Sequence, residues 1–132
     1  LYGDVLLDVY DALAARLARA EALGIDRTRI MLDPGIGFGK TQAHNLALIR
    51  GLSLFHGLGC AILLGTSRKR FVGHATGREG DGRDIGTAAT TALLRVKGAA
   101  VIRVHDVAIN QDAMRIADAM MAEMPQSKEA GS

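Results

Sequence analysis
Ile30-Met31-Leu32-Asp33-Pro34-Gly35-Ile36-Gly37-Phe38-Gly39-Lys40 is the stretch on which the fold turns. A short apolar run ends in an acid, and three glycines then fall within five residues, 35–39. Glycine lets a chain take backbone conformations that side chains forbid, and it lets a ligand lie against bare backbone. An acid at the end of a buried strand, followed by such a loop and then by a helical segment, describes a small-molecule site at a strand's carboxyl end.

Working outward, the units repeat. Residues 4–23 place Val5, Val9, Leu13, Leu17, Ala20 and Leu23 at spacings of three and four, an amphipathic helix that Gly24 stops. Residues 29–33 read as a strand, and 41–54 as a helix with Leu46, Ile49 and Leu52 or Ser53 inward and Gly57 and Gly59 breaking it. Residues 60–65 are a second strand, uniformly apolar and so expected to be covered on both faces. Residues 66–72 suggest one or two helical turns, and 74–83 a mobile surface loop. Residues 84–97 form a helix rich in small residues, 99–104 a third strand, and 110–124 a last helix with Ile109, Ala113, Ile116, Ala117, Met120 and Met124 on one stripe. Strands alternating with helices mean parallel βα units. A complete (β/α)8 barrel takes about 250 residues, so 132 residues and three strands look like part of one.

Composition narrows the function classes. Hydrophobic residues make up 48% of the chain and charged residues 23%, which supports a packed core of one domain. The formal charge is only +2 and the longest basic run is Arg68-Lys69-Arg70, too little for a nucleic-acid surface. One cysteine, Cys60, excludes an internal disulfide and a multi-cysteine zinc site. No apolar run approaches the ~18 residues of a membrane span, and the N-terminus lacks the order of a signal peptide. The chain opens on Leu1 rather than Met, which reads as a cut.

Polar residues collect where each strand ends. Asp33 closes the first; Thr66, Ser67 and Lys69 follow the second; Arg103 and His105 close the third. Strand carboxyl ends share one rim in parallel α/β folds, so these groups can converge. Arg103 and His105 alternate onto one face of their strand and read as an anion clamp, a guanidinium fork with an imidazole donor beside it. Plainer readings stand beside these: Asp33 as a cap, Lys69 as a solvated charge, Arg103 in an ion pair with Asp106 or Asp84, His105 as a satisfied core histidine. Gly39-Lys40-Thr41 imitates the end of a Walker A loop, but that pattern needs Gly at position 34, where Pro34 stands. His44, His56 and His74 have no metal-ligand spacing.

Three motifs, Asp33-Pro34-Gly35-Ile36-Gly37-Phe38-Gly39-Lys40, Leu64-Gly65-Thr66-Ser67-Arg68-Lys69-Arg70-Phe71 and Ile102-Arg103-Val104-His105-Asp106-Val107, resemble dihydropteroate synthase in order and approximate spacing. The resemblance implies the C-terminal half of a TIM (β/α)8 barrel, with residues 1–125 as a partial pterin-binding barrel and 126–132 as a disordered tail. It implies a transferase of folate biosynthesis that joins 6-hydroxymethyl-7,8-dihydropterin pyrophosphate to 4-aminobenzoate. By the same likeness Asp33 accepts hydrogen bonds from the pterin, Gly37 admits it to the backbone, and Phe38 walls the pocket. Lys69 bonds the pterin's carbonyl side. Arg103 and His105 hold the pyrophosphate, Arg103 also lying on the ring, and Arg70 lies near the aminobenzoate carboxylate. Lys69, Arg103 and His105 are thus the implied catalytic residues. The family also implies a magnesium ion (Mg2+) whose protein ligand is not in this chain, a cytoplasmic location, a homo-oligomer (a dimer), and a sulfonamide target.

The departure from the family is its first half. The N-V-T-P-D-S-F-like and S-T-R-P-like loops and the early inner Asp and Asn are absent, and the seventh strand is faint, a few residues near 83–86. The expectation is a chain inactive by itself, with sheet edges and apolar lumen exposed. A non-catalytic pterin-binding or interaction module of the same fold is the rival. Ser67-Arg68-Lys69 and Arg103-Val104-His105 argue against a methyltetrahydrofolate-binding barrel.

Overall fold
A computed structural model describes residues 3–67 and 69–123. The expected tail at 126–132 lies outside them, as does Met124.

The first helix, α1 (Val5–Ala22), is capped by Asp4, whose carboxylate accepts the N–H groups of Leu6 and Leu7 at 3.1 and 3.2 Å. Val5, Val9, Leu13 and Leu17 are its buried residues, the expected stripe. A 3-10 turn (Arg27–Arg29) leads into β1 (Met31–Leu32). Next come α2 (Gln42–Arg50), a 3-10 segment (Leu52–Leu58), β2 (Ala61–Gly65) and α3 (Arg70–Thr76). A 3-10 turn (Gly80–Arg83), α4 (Asp84–Val96), β3 (Val101–Arg103) and α5 (Val107–Ala122) complete the order.

The three strands are parallel in the order β1-β2-β3. Met31 pairs with Ala61, and Gly65 with Arg103. This is the repeating βα arrangement of a partial TIM barrel. Where a further strand was expected, near 83–86, the chain is the end of a 3-10 turn and the start of α4, and β2 bonds directly to β3. The expected loop at 74–83 is the end of α3 followed by that turn.

Two other expectations need correction. The second helix breaks at Gly51, not Gly57, and tightens into the 3-10 segment, which buries Leu52, Phe55 and Leu58 while Leu46 turns outward. The sheet is covered on one face rather than two. Leu32, Ile62 and Leu64 are 5, 0 and 0% exposed, whereas Met31 and Val101, on the opposite face, are 55 and 38% exposed. The uniform apolar run of β2 concealed this, because the uncovered face is apolar too. Its residues have the character of a barrel interior, and among the described residues the outer strands pair with β2 alone, as expected of a partial barrel.

The core lies between the covered face and the helices. Leu48, Leu52, Phe55, Ile62, Leu64 and Leu94 are fully buried, each stabilising the fold by about 1.5–3 kcal/mol. Tyr10 of α1 stacks on Phe55 with centroids 6.1 Å apart, joining the first helix to the centre. Cys60 is a buried free thiol, as its apolar setting suggested. A Cβ at Gly86 would come within 2.7 Å of Val72 Cγ1, so the small residue sets how closely α4 meets α3. The stripe expected on α5 is largely outward: Ile116 is 72% and Met120 51% exposed. This helix packs chiefly on α4, through Ala117 and Asn110. Thr91 Oγ1 donates to Asn110 Oδ1 at 2.5 Å, a buried polar tie between the two helices.

Candidate functional site
Asp33 directly follows β1, and its Oδ1 accepts the Gly35 N–H at 2.8 Å, turning the chain out of the sheet. Gly35, Gly37 and Gly39 all have left-handed backbones, with φ of 74, 89 and 61°. At Gly37 the requirement is double. A Cβ there would also sit 2.7 Å from Lys69 Cδ, so the bare backbone gives the lysine stem its channel. Asn45 of α2, only 4% exposed, accepts the Gly37 N–H at 2.8 Å and pins the loop from behind.

Lys40 folds back on its own loop, donating to the carbonyls of Gly35 and Phe38 at 2.8 and 2.9 Å. Thr41 caps α2, accepting the His44 N–H at 3.1 Å while His44 Nδ1 accepts the Thr41 N–H at 3.3 Å. The Gly-Lys-Thr sequence is thus a loop closure and a capping box, which explains its false likeness to a phosphate cradle.

Lys69 crosses from the end of β2 toward this loop. Its Nζ donates to the Ile36 carbonyl and lies 4.6 Å from the centre of the Phe38 ring. Burial lowers the Lys69 pKa below the ordinary lysine value; Asp33 opposes the shift, and Arg103 and Lys40 add to it. The ammonium is held among two cations and one acid, a setting that favours a ligand able to accept a hydrogen bond.

Arg103 ends β3 on the open face, with its side chain 60% exposed. Its partner is Asp33, not Asp106 or Asp84: Nη2 lies 3.4 Å from Asp33 Oδ2. Between the outer strands the span is about 9–10 Å, two inter-strand steps, and the residue between is Gly65, which pairs with Arg103 in the sheet. A Cβ on Gly65 would stand 3.0 Å from Arg103 Nη2. The guanidinium crosses where the middle strand has no side chain. The acid and the clamp are in hydrogen-bonding contact.

His105 lies just beyond β3. Its backbone N–H donates to Ser67 Oγ at 2.9 Å, and its Nδ1 is 2.6 Å from the same oxygen. A cavity of about 290 Å³ is lined by Phe38, Gly65, Ser67, Lys69, Arg103 and His105 among others. A larger one of about 800 Å³ adjoins it, bounded by Gly37, Phe38, Lys69, Arg70 and His74 among others. Arg70, the first residue of α3, faces that second space and not the first.

Six of the seven expected residues thus border these two adjoining spaces, and the seventh, Asp33, touches Arg103. Residue-by-residue reading missed Asn45 and Gly65. Asn45 sits on the same helical face as Leu48, Ile49 and Leu52, so a polar residue interrupting an inward apolar stripe was the available signal. For Gly65 there was none, because its importance lies in what crosses over it.

Residues 1–105 match a family model described as pterin binding enzyme. The chain is 41% identical over 131 residues to a dihydropteroate synthase of Mycobacterium leprae, covering 95% of this chain and 46% of that protein. A dihydropteroate synthase from Xanthomonas albilineans, solved in complex with 7,8-dihydropteroate, superposes with a TM-score of 0.90 at 41% identity, covering 95% of this chain and 48% of that one. The Yersinia pestis synthase in a sulfonamide drug complex gives a TM-score of 0.91 at 36% identity, covering 94% and 45%. The chain therefore spans under half the length of each of these proteins. With a family model matched along most of its length and its motifs gathered at the strand ends, this chain belongs to the pterin binding enzyme family.

Proposed function
We propose that this chain forms the pterin-binding part of a dihydropteroate synthase, which condenses 6-hydroxymethyl-7,8-dihydropterin pyrophosphate with 4-aminobenzoate. The observation that carries the proposal is the contact of Asp33 with Arg103 over Gly65, beside Lys69. An exposed ion pair of this kind stabilises a fold by at most about 1 kcal/mol, so a ligand can displace it at little cost. The amino and ring N–H groups of a pterin would take Asp33, freeing the guanidinium to lie on the ring and meet the pyrophosphate. Lys69 would donate to the pterin's carbonyl side, Gly37 would let the ring approach the backbone, and Phe38 would wall it. His105 would add a donor to the pyrophosphate, and Arg70 would meet the aminobenzoate carboxylate from the adjoining space.

In the reaction, the bond from the pterin's methylene carbon to the pyrophosphate oxygen breaks. The arylamine nitrogen then bonds to that carbon and sheds a proton, and pyrophosphate leaves. Such chemistry needs charge stabilisation and positioning. Lys69, Arg103 and His105 supply donors at the leaving group and the ring.

In this proposal the described residues give magnesium no site of their own. Among the described residues no group of three His, Cys, Asp or Glu side chains is placed to hold a metal, and the strand ends carry Lys69 and Arg103, which repel a divalent cation. In this proposal any such ion is held by the pyrophosphate and by residues beyond this chain. A cytoplasmic enzyme, a homo-oligomer (dimer) and a sulfonamide target complete the proposal. The free thiol of Cys60 suits a reducing compartment, and exposed Ile85, Leu93, Ile116 and Met120 on α4 and α5 suit association. No helix among the described residues is long and apolar enough to cross a membrane.

Calorimetry with the dihydropterin pyrophosphate tests the site. Binding by the 132-residue chain that is lost in Asp33→Ala and in Arg103→Ala is expected; no binding by the wild type rejects a pterin site. The rival, a non-catalytic pterin-binding module, is favoured by the uncovered sheet face, and a turnover assay separates the two. The chain alone is expected to be inactive, and turnover near that of a full-length synthase would overturn that expectation.

A further inference from the structure
We propose that Ser67 is a positioning residue that fixes the neutral form of the His105 imidazole in one tautomer, with its proton on Nε2. The argument is a count of protons and lone pairs at one oxygen. Ser67 Oγ has one proton and two lone pairs. The backbone N–H of His105 donates to one lone pair at 2.9 Å. The serine proton then needs an acceptor, and the one found among the described residues is His105 Nδ1, 2.6 Å away. Donation from the hydroxyl occupies the Nδ1 lone pair and leaves the ring proton on Nε2, the nitrogen turned away from Ser67.

One hydroxyl therefore holds His105 twice, by backbone and by ring. The two residues are 38 apart in sequence, at the ends of neighbouring strands β2 and β3. Arg103 on β3 and Lys69 beyond β2 line the same cavity as the ring. The adjacent acid, Asp106, is engaged as the cap of α5, accepting the Ile109 N–H at 3.1 Å. A fixed Nε2–H is a ready donor to an oxyanion in the strand-end cavity and needs no rearrangement when the anion arrives. The anionic ligand is the pyrophosphate of the function proposed above; the tautomer itself does not depend on that function.

Nitrogen-resolved NMR of the imidazoles tests the tautomer on the 132-residue chain at mildly alkaline pH. His105→Gln identifies the His105 signals among the four histidines. The expected result is a single tautomer, Nδ1 unprotonated, in the wild type and in Ser67→Thr, against averaged nitrogen shifts in Ser67→Ala. A wild-type ring protonated on Nδ1 overturns the proposal whether or not Ser67→Ala folds, and so does a Ser67→Ala ring unchanged from the wild type. Titration with inorganic pyrophosphate adds a second reading. Ser67→Ala is expected to weaken binding by roughly three- to tenfold, the loss of one oriented hydrogen bond, with Ser67→Thr restoring it. Equal affinity in wild type and Ser67→Ala overturns the positioning role. A wild type that binds no pyrophosphate counts against the proposed function instead, and the tautomer then decides the role of Ser67.

Discussion
Arg103 reaches Asp33 across the full width of the sheet, Nη2 to Oδ2 at 3.4 Å, by passing over the one residue of β2 that has no side chain. Residues 70 apart in sequence thereby become neighbours at the strand ends. The contact is too exposed to stabilise the fold appreciably, so its consequence is where it holds two groups of opposite charge.

Gly65→Ala tests that arrangement. The added methyl would stand 3.0 Å from Arg103 Nη2, the far end of a flexible side chain that can swing away. Stability should therefore change by no more than about 0.5 kcal/mol. Affinity for dihydropterin pyrophosphate should fall about tenfold or more, the effect of one misplaced charged hydrogen bond. Thermal melting and calorimetry on the same sample give both numbers, and a large loss of stability with unchanged affinity would contradict this account.

Gly37→Ala should behave differently. Its φ of 89° is strained for any L side chain, and the new Cβ would be 2.7 Å from Lys69 Cδ. A loss of about 1–2 kcal/mol is expected from the backbone alone, together with displacement of Lys69. Urea denaturation should show the lower midpoint, and a wild-type midpoint would argue that the loop is free to reshape.

Asn45→Leu removes the acceptor behind the glycine loop. The Gly37 N–H loses its 2.8 Å partner at a part-buried position, which costs about 1–2 kcal/mol. Faster hydrogen exchange at the amides of Gly37 and Phe38, with α1 unaffected, is the expected signature. Unchanged exchange at Gly37 would show that another acceptor replaces Asn45.

Lys69→Met tests the lowered lysine pKa through its pH dependence. Burial is the main cause of the shift, so the folded chain releases the Lys69 proton at lower pH than the unfolded chain does. Between the two values the unfolded state binds more protons, and stability rises with pH there. Below that window the buried charge is a burden on the fold. Lys69→Met should consequently be more stable than the wild type at neutral pH, with the difference narrowing as pH climbs toward 10.5, the ordinary lysine value. Urea melts across that range check the sign, and a difference that widens with pH would overturn it.

What the amino-acid sequence determined by itself is everything that depends on neighbours along the chain. The buried stripe of α1 follows from spacings of three and four, and the parallel class from alternating strands and helices. The family motifs are likewise contiguous. Local patterns misled where they gave no orientation. The apolar run of β2 suited a covered or an uncovered face equally, and the stripe on α5 did not reveal that its partner helix meets the small residues beside it. Only the tertiary structure decided that Asp33 touches Arg103 and that Ser67 holds His105. Those contacts depend on which strands lie side by side and in what register, with Gly65 opposite Arg103. Register is set by the summed packing of helices on the sheet's far face, a property of the whole chain that no single stretch contains.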